Sequence, residues 1–263
     1  MATAEVKKAY EKTQKPLCVG DGSKAEWIED VFQGNPKIAK EPYLGCFWVR
    51  NFKGYRPYIK LNDKERIVYE RDFKAEPGEV FLSDEEKKRH ADKGRFILIE
   101  PNTKTFPISK NKRWPIQKWQ AVVDALKGEY TFLQLTGKYK IQGIPNVGTR
   151  DFRDGMCLLY ASELLVTTDG GLHHAAAALG KKAVVIWGGL ASPKNLGYDT
   201  HINLHAGSEP CGSKMPCIHC QYELEKITPD MVVNAIRSVL GEGGKASPGA
   251  GSEAHQEAGN LQA

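Results

Sequence analysis

Long apolar segments are absent from this sequence. No apolar run in its 263 residues approaches the roughly 20 residues that a membrane-spanning helix needs. Residues 1–15 are charged and contain no apolar stretch of the kind that directs secretion. These absences predict a chain that neither crosses a membrane nor is exported. We therefore expect a cytoplasmic location.

A strong excess of either charge is also absent. The chain has 37 basic and 32 acidic residues, for a formal net charge of +5. This modest positive balance suits an anionic ligand and does not by itself imply nucleic acid. The apolar fraction is ordinary, at 41%, so a chain of this length can bury a core as one large or two small domains.

Cysteine is sparse and irregularly spaced. The six cysteines lack the two close pairs that are typical of structural zinc sites. Three of them, Cys211, Cys217 and Cys220, form a C-x5-C-x2-C pattern, and His205 and His219 lie near them in the sequence. The pattern leaves two interpretations, a metal site or a loop of buried or incidental thiols, and we adopt the second. We predict no bound metal and a reduced environment.

The most informative stretch is residues 164–186. An apolar run rich in β-branched residues stops at the Asp-Gly-Gly of residues 169–171, an alanine-rich segment follows, and then a second apolar run begins. This order predicts a strand–helix–strand unit inside a parallel sheet. The glycines allow a ligand to approach the backbone, and the first amides of the helix favour an anion such as phosphate. We expect His173 and His174, at the helix start, to be unnecessary for packing and to donate to phosphate or sugar oxygens.

Buried strands are also predicted at residues 96–99 and 132–135. Residues 96–190 as a whole predict the order strand, helix, strand, short strand, helix, strand, helix, strand. The fold class is therefore α/β, with an open, parallel, doubly wound sheet. Ligands bind such sheets at the carboxyl ends of the strands. The loop after the first of these strands contains Asn102 and Thr103 and then four cations, which are Lys104, Lys110, Lys112 and Arg113. These cations are well placed to neutralise a diphosphate, and the alternative is a solvated loop.

A strand and a glycine turn also open the chain. Residues 16–19 predict a short strand that ends at Gly20-Asp21-Gly22. The helical face that follows is formed by Trp27, Ile28, Val31 and Phe32. Asp21 is either a helix cap or a carboxylate that faces a ligand cleft.

Basic and aromatic residues are interleaved in residues 37–60. The basic residues are Lys37, Lys40, Arg50, Lys53, Arg56 and Lys60, and the aromatic ones are Tyr43, Phe47, Trp48, Phe52, Tyr55 and Tyr58. Such a stretch can bind nucleic acid or sugar, or it can form strands with one buried face. We favour buried structure, with a buried strand at residues 44–49.

These patterns divide the chain into four segments. Residues 1–15 form a polar N-terminal arm, and residues 16–94 form a small first domain that ends in a highly charged stretch. Residues 95–241 form a second domain, which closes with a capped helix after Thr228-Pro229. Residues 242–263 consist of Gly, Ser, Ala and polar residues, which predicts a disordered tail.

Residues 168–180 resemble the signature of the ADP-heptose:lipopolysaccharide heptosyltransferases, glycosyltransferase family 9. Three other segments are similar to the family in order and spacing. They are Lys112-Arg113-Trp114-Pro115, the run from Trp187 to Pro193, and Cys217-x2-Cys220 followed by Ile227-Thr228-Pro229. The resemblance covers residues 95–241 and is weak before them.

The resemblance implies a GT-B architecture, in which two Rossmann-like domains face a cleft and the C-terminal one binds a nucleotide sugar. Here the N-terminal domain is reduced. It also implies an inverting glycosyltransferase of lipopolysaccharide biosynthesis that needs no metal and no cofactor besides its nucleotide-sugar co-substrate. ADP-heptose is one candidate donor. Fixed cations and a helix N-terminus agree with this, because they can stabilise a leaving diphosphate without a divalent ion.

The resemblance implies roles for single residues. Lys112 would contact the donor diphosphate. The phosphate and sugar site would be lined by Asp169, Gly170, Gly171, Leu172 and His174, and we add Thr168, Asn102 and Thr103 at the adjoining strand ends to this predicted donor site. Asp21 is the match to the family's catalytic base, which takes the proton of the acceptor hydroxyl.

Two departures from the family leave the acceptor and the donor open. The first domain, which holds the acceptor in the family, is far shorter here, and Gly170 stands where the family has Ser or Thr. The acceptor is then a glycan, a lipid-linked core or, given residues 37–60, modified DNA. The alternative function is a nucleotide-sugar-binding protein without turnover.

Overall fold

The structure is a computed structural model. It describes residues 2–26, 29–39, 41–51, 56, 58–70 and 72–241. The predictions for Trp27 and Ile28, for the tail at 242–263 and for part of the basic and aromatic stretch (Lys40, Phe52, Lys53 and Tyr55) lie outside the described residues.

The secondary structure alternates along the chain. The α-helices are α1 (Ala2–Thr13), α2 (Glu29–Phe32), α3 (Asp84–Lys88), α4 (Ile116–Leu126), α5 (Phe152–Ala161), α6 (Gly171–Ala178), α7 (Pro193–Leu196), α8 (Ile218–Glu225) and α9 (Pro229–Leu240). The strands are β1 (Leu17–Gly20), β2 (Phe47–Arg50), β3 (Ile59–Leu61), β4 (Ile67–Tyr69), β5 (Ile97–Glu100), β6 (Phe132–Leu135), β7 (Asn146–Val147), β8 (Leu164–Thr168), β9 (Ala183–Ile186) and β10 (Ile202–Leu204). Two 3-10 turns occupy Ala91–Lys93 and Pro107–Lys112.

The larger sheet has six parallel strands in the order β10-β9-β8-β5-β6-β7. Successive side chains of a strand point to opposite faces. Ile97 and Ile99 therefore join a core with α4 and α9, whereas Leu98 joins a second core with α5 and α6. Helices thus cover both faces, and the predicted doubly wound α/β sheet is confirmed.

The amino-terminal region is much smaller. Strands β1 and β2 form a two-stranded parallel sheet, and α1 packs on it through a core that includes Val6, Leu17 and Val49. The prediction of a buried strand at residues 44–49 is wrong in part: the strand begins at Phe47, and Leu44 is fully exposed. Strand β2 pairs with β1 in a two-stranded sheet, and within β2 only Val49 is buried in the small core.

A disulfide joins Cys18 in β1 to Cys46, just before β2. The sequence predicts a reduced environment and gives no sign of this pair, because only the parallel pairing of the two strands brings the residues together. Among the described residues, the helices are all too short or too polar to cross a membrane.

A buried ion pair ties the segment before the large sheet to the sheet's own helices. Arg153 of α5 donates from Nε to Glu86 Oε1 at 2.6 Å and from Nη2 to Glu86 Oε2 at 2.7 Å. Phe73 and Val80 also pack against the core beneath α5 and α6. Residues ahead of 95 therefore contribute to the core of the sheet region.

Candidate active site

The strand–helix–strand unit predicted around residue 169 is present and lies inside the large sheet. Strand β8 pairs with β5 and β9, and its last residue, Thr168, is buried. Asp169 follows at the carboxyl edge and is also buried, and Gly170 leads into α6. This is the edge at which parallel sheets bind ligands.

Lys112 reaches this edge from the end of the 3-10 turn Pro107–Lys112. Its ammonium forms an ion pair with Asp169 Oδ2. Burial by itself raises the pKa of the Asp169 carboxyl, but the charge of Lys112, the neighbouring His173 and the hydrogen bond from Lys112 together outweigh it and hold that pKa below its ordinary value. The structure therefore brings together two residues of the predicted donor site, one cation and one anion.

The neighbouring Asn111 holds the turn that carries Lys112. Its side chain is fully buried. The amide nitrogen donates to the carbonyls of Ser213 at 3.0 Å and Met215 at 2.8 Å, and the amide oxygen accepts from the Cys217 N–H at 2.8 Å. Asn111 thus anchors Lys112 to the loop that precedes α8.

His173 has a structural role, so the expectation that it is unnecessary for packing is wrong. Its ring is completely buried. Nδ1 accepts from the Gly170 N–H at 3.1 Å, and Nε2 lies 3.2 Å from the Leu196 carbonyl. Because a backbone N–H can only donate, the proton of the ring is on Nε2. His173 closes the start of α6 and joins it to α7.

His174 is half-buried, and one of its two ring nitrogens makes a hydrogen bond within the described residues. Its Nδ1 lies 2.7 Å from the hydroxyl of Tyr198. Burial lowers the pKa of His174 well below its ordinary value, so the ring is neutral at neutral pH. Tyr198 is buried and was missed by the sequence reasoning, because nothing in its local pattern distinguishes it from a core tyrosine.

The amides of Gly171, Leu172 and His173 begin α6, where a helix has N–H groups without intrahelical acceptors. Such groups favour an anionic ligand. The ring of Phe152 stands over Gly171, since a Cβ there would lie 3.3 Å from it. Phe152 is partly exposed, and this aromatic neighbour of the helix start was also missed by the sequence reasoning.

Asn102 and Thr103 lie at the carboxyl end of β5, as expected. The side-chain amide of Asn102 is already engaged: it donates to the Tyr139 carbonyl at 3.1 Å and accepts from the Tyr139 N–H at 2.8 Å. The Thr103 hydroxyl faces the Ser109 carbonyl at 3.5 Å. Asn102 thus holds the loop after β6 against the loop after β5, and its predicted contact with a donor stays untested.

A buried carboxyl that the sequence reasoning did not single out lies beside them. Glu100 ends β5, and its Oε1 accepts the Asn102 N–H at 2.6 Å. Its Oε2 is buried without a hydrogen-bond partner among the described residues. Burial raises the pKa of Glu100 to about 7.

Asp21 follows β1 in an exposed turn. Its Oδ1 accepts from the Ser23 N–H at 2.8 Å, the Ser23 hydroxyl at 2.9 Å and the Lys24 N–H at 2.7 Å. These bonds, the one from Lys24 first, lower the pKa of Asp21 to about 2. Gly20 is required beside it, because a Cβ would lie 2.0 Å from the Lys24 carbonyl oxygen. The carboxylate is thus anchored through one oxygen.

A cavity of about 710 Å³ opens between α1, β2 and residues 56–76. Its wall includes Tyr58 and Phe73, whose rings stack with centroids 4.6 Å apart, and the cations Lys12 and Arg50. Ala75 on the same wall packs with Ala177 and Tyr198, which places the cavity next to α6 and the predicted donor-site residues.

The thiols near α8 lie close together and form one cluster, so they are not incidental. Cys211 Sγ lies 3.0 Å from Cys220 Sγ, and the Cys217 thiol contacts both. A hydrogen bond from the Cys220 backbone lowers the pKa of Cys217, whereas burial raises that of Cys220. The Nδ1 atom of His219 is buried without a hydrogen-bond partner in the described part of the chain.

This cluster fits a metal ion, because the donor atoms of Cys211, His219 and Cys220 lie within 4.8 Å of one another. Asp169, His173 and His174 are equally close. That second group does not fit a metal, since both ring nitrogens of His173 are engaged and Asp169 is paired with Lys112.

Comparisons with known proteins support the fold. No family model matches the chain, and no curated protein matches its sequence. The dodecameric, iron-containing glycosyltransferase TibC of enterotoxigenic Escherichia coli H10407 superposes with a TM-score of 0.56 at 13% identity, over 90% of this chain and 71% of TibC. The structure of TibC with ADP-D-β-D-heptose gives a TM-score of 0.57 at 13% identity, over 86% and 76%.

The E. coli ADP-heptose lipopolysaccharide heptosyltransferase II is also similar, with a TM-score of 0.47 and 20% identity over 62% of this chain. The chain spans about half of that protein, 53% of its length. The class of fold rests on the similarity to TibC. The chain has the GT-B fold of the heptosyltransferases. This agrees, at the level of fold, with the sequence resemblance to glycosyltransferase family 9.

Proposed function

We propose that the chain is a glycosyltransferase that moves a sugar, heptose or another, from a nucleotide diphosphate donor to a hydroxyl acceptor. The observation that supports this most strongly is the Lys112–Asp169 ion pair beside the start of α6, at the carboxyl edge of the parallel sheet. A fixed cation beside free helix amides is the combination of groups that binds a diphosphate, which supports the proposal. TibC, which has the same fold, is bound to ADP-D-β-D-heptose in one of its structures.

The donor site divides into two parts. Lys112 and the amides of Gly171 and Leu172 bind the diphosphate and stabilise the charge that develops as it leaves. Asp169 and His174 bind sugar hydroxyls or phosphate oxygens, with Thr168, Gly170, Asn102 and Thr103 around them. Because these groups are preorganised by buried contacts, they supply the electrostatic stabilisation without a divalent ion.

The reaction is a single displacement with inversion. The acceptor oxygen forms a bond to the anomeric carbon while the bond from that carbon to the phosphate oxygen breaks, and the nucleoside diphosphate leaves with the electron pair. Asp21 takes the hydroxyl proton on Oδ2, since Oδ1 is held by its turn. A carboxylate with a pKa of about 2 is a weak base, so the proton moves as the new C–O bond forms.

The cavity beside α1 is the acceptor pocket in this proposal. Lys12 and Arg50 are exposed on its wall, and neither has an ion-pair partner among the described residues. With the stacked rings of Tyr58 and Phe73, they suit an anionic glycan, free or lipid-linked. Modified DNA is the alternative acceptor and predicts binding to duplex that weakens steeply with salt.

A donor panel tests the function. Thermal shift is measured with a series of nucleotide sugars, because a ligand that binds the folded state raises its stability.

Lys112→Ala should weaken binding of the stabilising donor by about 1–3 kcal/mol. Lys127→Ala, at the exposed end of α4, is the control and should not change it. Equal affinities for wild type and Lys112→Ala would refute the donor site, and binding without transfer to any acceptor would favour a binding protein without turnover.

The cysteine cluster supports a second, separate proposal: Cys211, Cys217, His219 and Cys220 hold a transition metal, as thiolate-rich sites hold iron or zinc. TibC is described as iron-containing. The metal would stabilise the loop that Asn111 binds and so the turn that carries Lys112. Elemental analysis of the purified protein should find about one equivalent, which is lost in Cys220→Ser. Metal-free protein at full yield and stability would contradict this.

A further inference from the structure

A hydrogen bond joins His174 and Tyr198, and the surroundings of the two side chains favour one of them as the donor. The two rings are perpendicular, with centroids 5.7 Å apart, and the hydroxyl lies 2.7 Å from Nδ1. Burial lowers the pKa of His174 and raises that of Tyr198. At neutral pH the imidazole therefore has one N–H and the tyrosine retains its O–H.

Only one of the two possible hydrogen bonds satisfies the buried hydroxyl of Tyr198. If Nδ1–H donated to the tyrosine oxygen, the buried hydroxyl would need another acceptor for its own proton, and none is found among the described residues. If the hydroxyl donates to Nδ1, its proton is satisfied. The proton of His174 is then on Nε2.

Tyr198 is itself held firmly. Its ring packs against Ala75 and Ala177, and its carbonyl accepts from Asn203 Nδ2 at 3.1 Å. Asn203 in turn accepts from the Trp187 indole at 2.9 Å, at the end of β9. The hydroxyl is therefore fixed relative to the large sheet.

We propose that Tyr198 is a positioning residue that keeps His174 in its Nε2–H form, so that this N–H donates to an oxygen of the bound nucleotide sugar. Within the described residues Nε2 of His174 has no hydrogen-bond partner, whereas both ring nitrogens of His173 are engaged. The two adjacent histidines thus have different roles: His173 caps the start of α6, and His174 contacts the ligand. The second half of this proposal rests on the proposed donor-binding function.

The tautomer is read directly by long-range 1H–15N NMR of protein with 15N-labelled histidine, in the absence of ligand. Wild type should show His174 with a protonated Nε2 and an unprotonated Nδ1. Tyr198→Phe keeps the ring and removes the hydroxyl, and should give a mixture of the two forms at His174 with His173 unchanged. A wild-type His174 protonated on Nδ1, or a Tyr198→Phe variant with the wild-type pattern, would overturn the positioning role.

The functional half is tested with ADP-heptose by titration calorimetry. Tyr198→Phe should bind about three- to tenfold more weakly, as expected for one well-placed hydrogen bond. In a His174→Ala background the same change should have no further effect. Tyr69→Phe is the matched control, because Tyr69 is a half-buried tyrosine near Asp169 without a hydrogen bond to His174, and it should bind as wild type.

The outcomes separate the two halves. Additive losses in the double variant would show that the hydroxyl acts independently of His174 and would overturn the proposal. A wild-type protein that binds no ADP-heptose would count against this donor and against His174 as its ligand, while the NMR result would still decide the tautomer.

Discussion

The sheet region (residues 97–240) and the amino-terminal region (residues 2–51) hold their functional groups in different ways. At the sheet edge, Asp169 is buried and paired with Lys112, and His174 is held by Tyr198. In the amino-terminal region, Asp21 is exposed and its bonds are to Ser23 and Lys24.

The difference follows from the amount of core behind each site. Two large apolar cores cover both faces of the six-stranded sheet, whereas one small core supports the two-stranded sheet. A rigid frame can preorganise charges, which is what stabilisation of a leaving diphosphate requires. Under the proposed function, the smaller core of the amino-terminal region leaves its groups to be positioned by the acceptor. Donor recognition would then be built into the fold, whereas acceptor recognition would depend on local contacts.

The largest expected effect is on turnover, in Asp21→Asn. Asparagine keeps an Oδ1 acceptor for the turn but cannot take a proton, so transfer should fall about 10²–10⁴-fold. Donor affinity, measured by calorimetry, should stay at the wild-type value because the donor site lies in the other region. Retained transfer would remove Asp21 as the base.

A pair of core substitutions compares the stability of the two regions. Leu165 in β8 and Leu17 in β1 are both fully buried. Leu165→Ala should lower the free energy of unfolding by about 3–5 kcal/mol, and Leu17→Ala by about 2–3 kcal/mol, since the smaller core can relax around the cavity. Urea denaturation measures both. Equal losses would show that the amino-terminal core is as rigid as the sheet.

The smallest expected effect is a pH dependence that arises at the sheet edge. The pKa of Glu100 is about 7 in the folded protein against 4.5 unfolded. The folded state therefore binds more protons between these values, and stability falls as pH rises through that window.

The free energy of unfolding should drop by about 1–3 kcal/mol between pH 5 and pH 8 from this group. Glu100→Gln, which keeps an acceptor for the Asn102 N–H, should remove that part of the dependence. Asp21 acts in the opposite sense, because its pKa is lowered to about 2 and its contribution is lost only in acid. A Glu100→Gln variant with the wild-type pH profile would contradict the assignment to Glu100.

Much of the sheet region follows from local sequence signals. The apolar runs of β5, β6, β8 and β9 and the Thr228 cap of α9 are each contained in a few consecutive residues. The amino-terminal region is harder to predict, because β2 is an edge strand whose pattern is exposed, half-buried, buried and exposed. Its interleaved aromatic and basic residues fit several structures equally well.

The candidate site was predicted in part. Lys112, Asp169 and the start of α6 were found because glycines and a cation at strand ends are recognisable in the sequence. His173 was misjudged and Tyr198 was missed, since both depend on what packs against them. The fourth candidate ligand of the cysteine cluster, His219, could have been found only by giving weight to a histidine beside Cys220.

The sequence by itself determined the order of strands and helices, the carboxyl edge at which polar residues gather and the resemblance of residues 95–241 to a glycosyltransferase family. Periodicity, caps and glycine turns act over a few residues and can be read without a fold. Only the tertiary structure decided that Lys112 meets Asp169, that Tyr198 contacts His174 and that Cys211 and Cys220 converge with His219. Those contacts join residues from different elements, and they exist because the order of strands in the sheet and the packing of its helices bring distant segments to one edge.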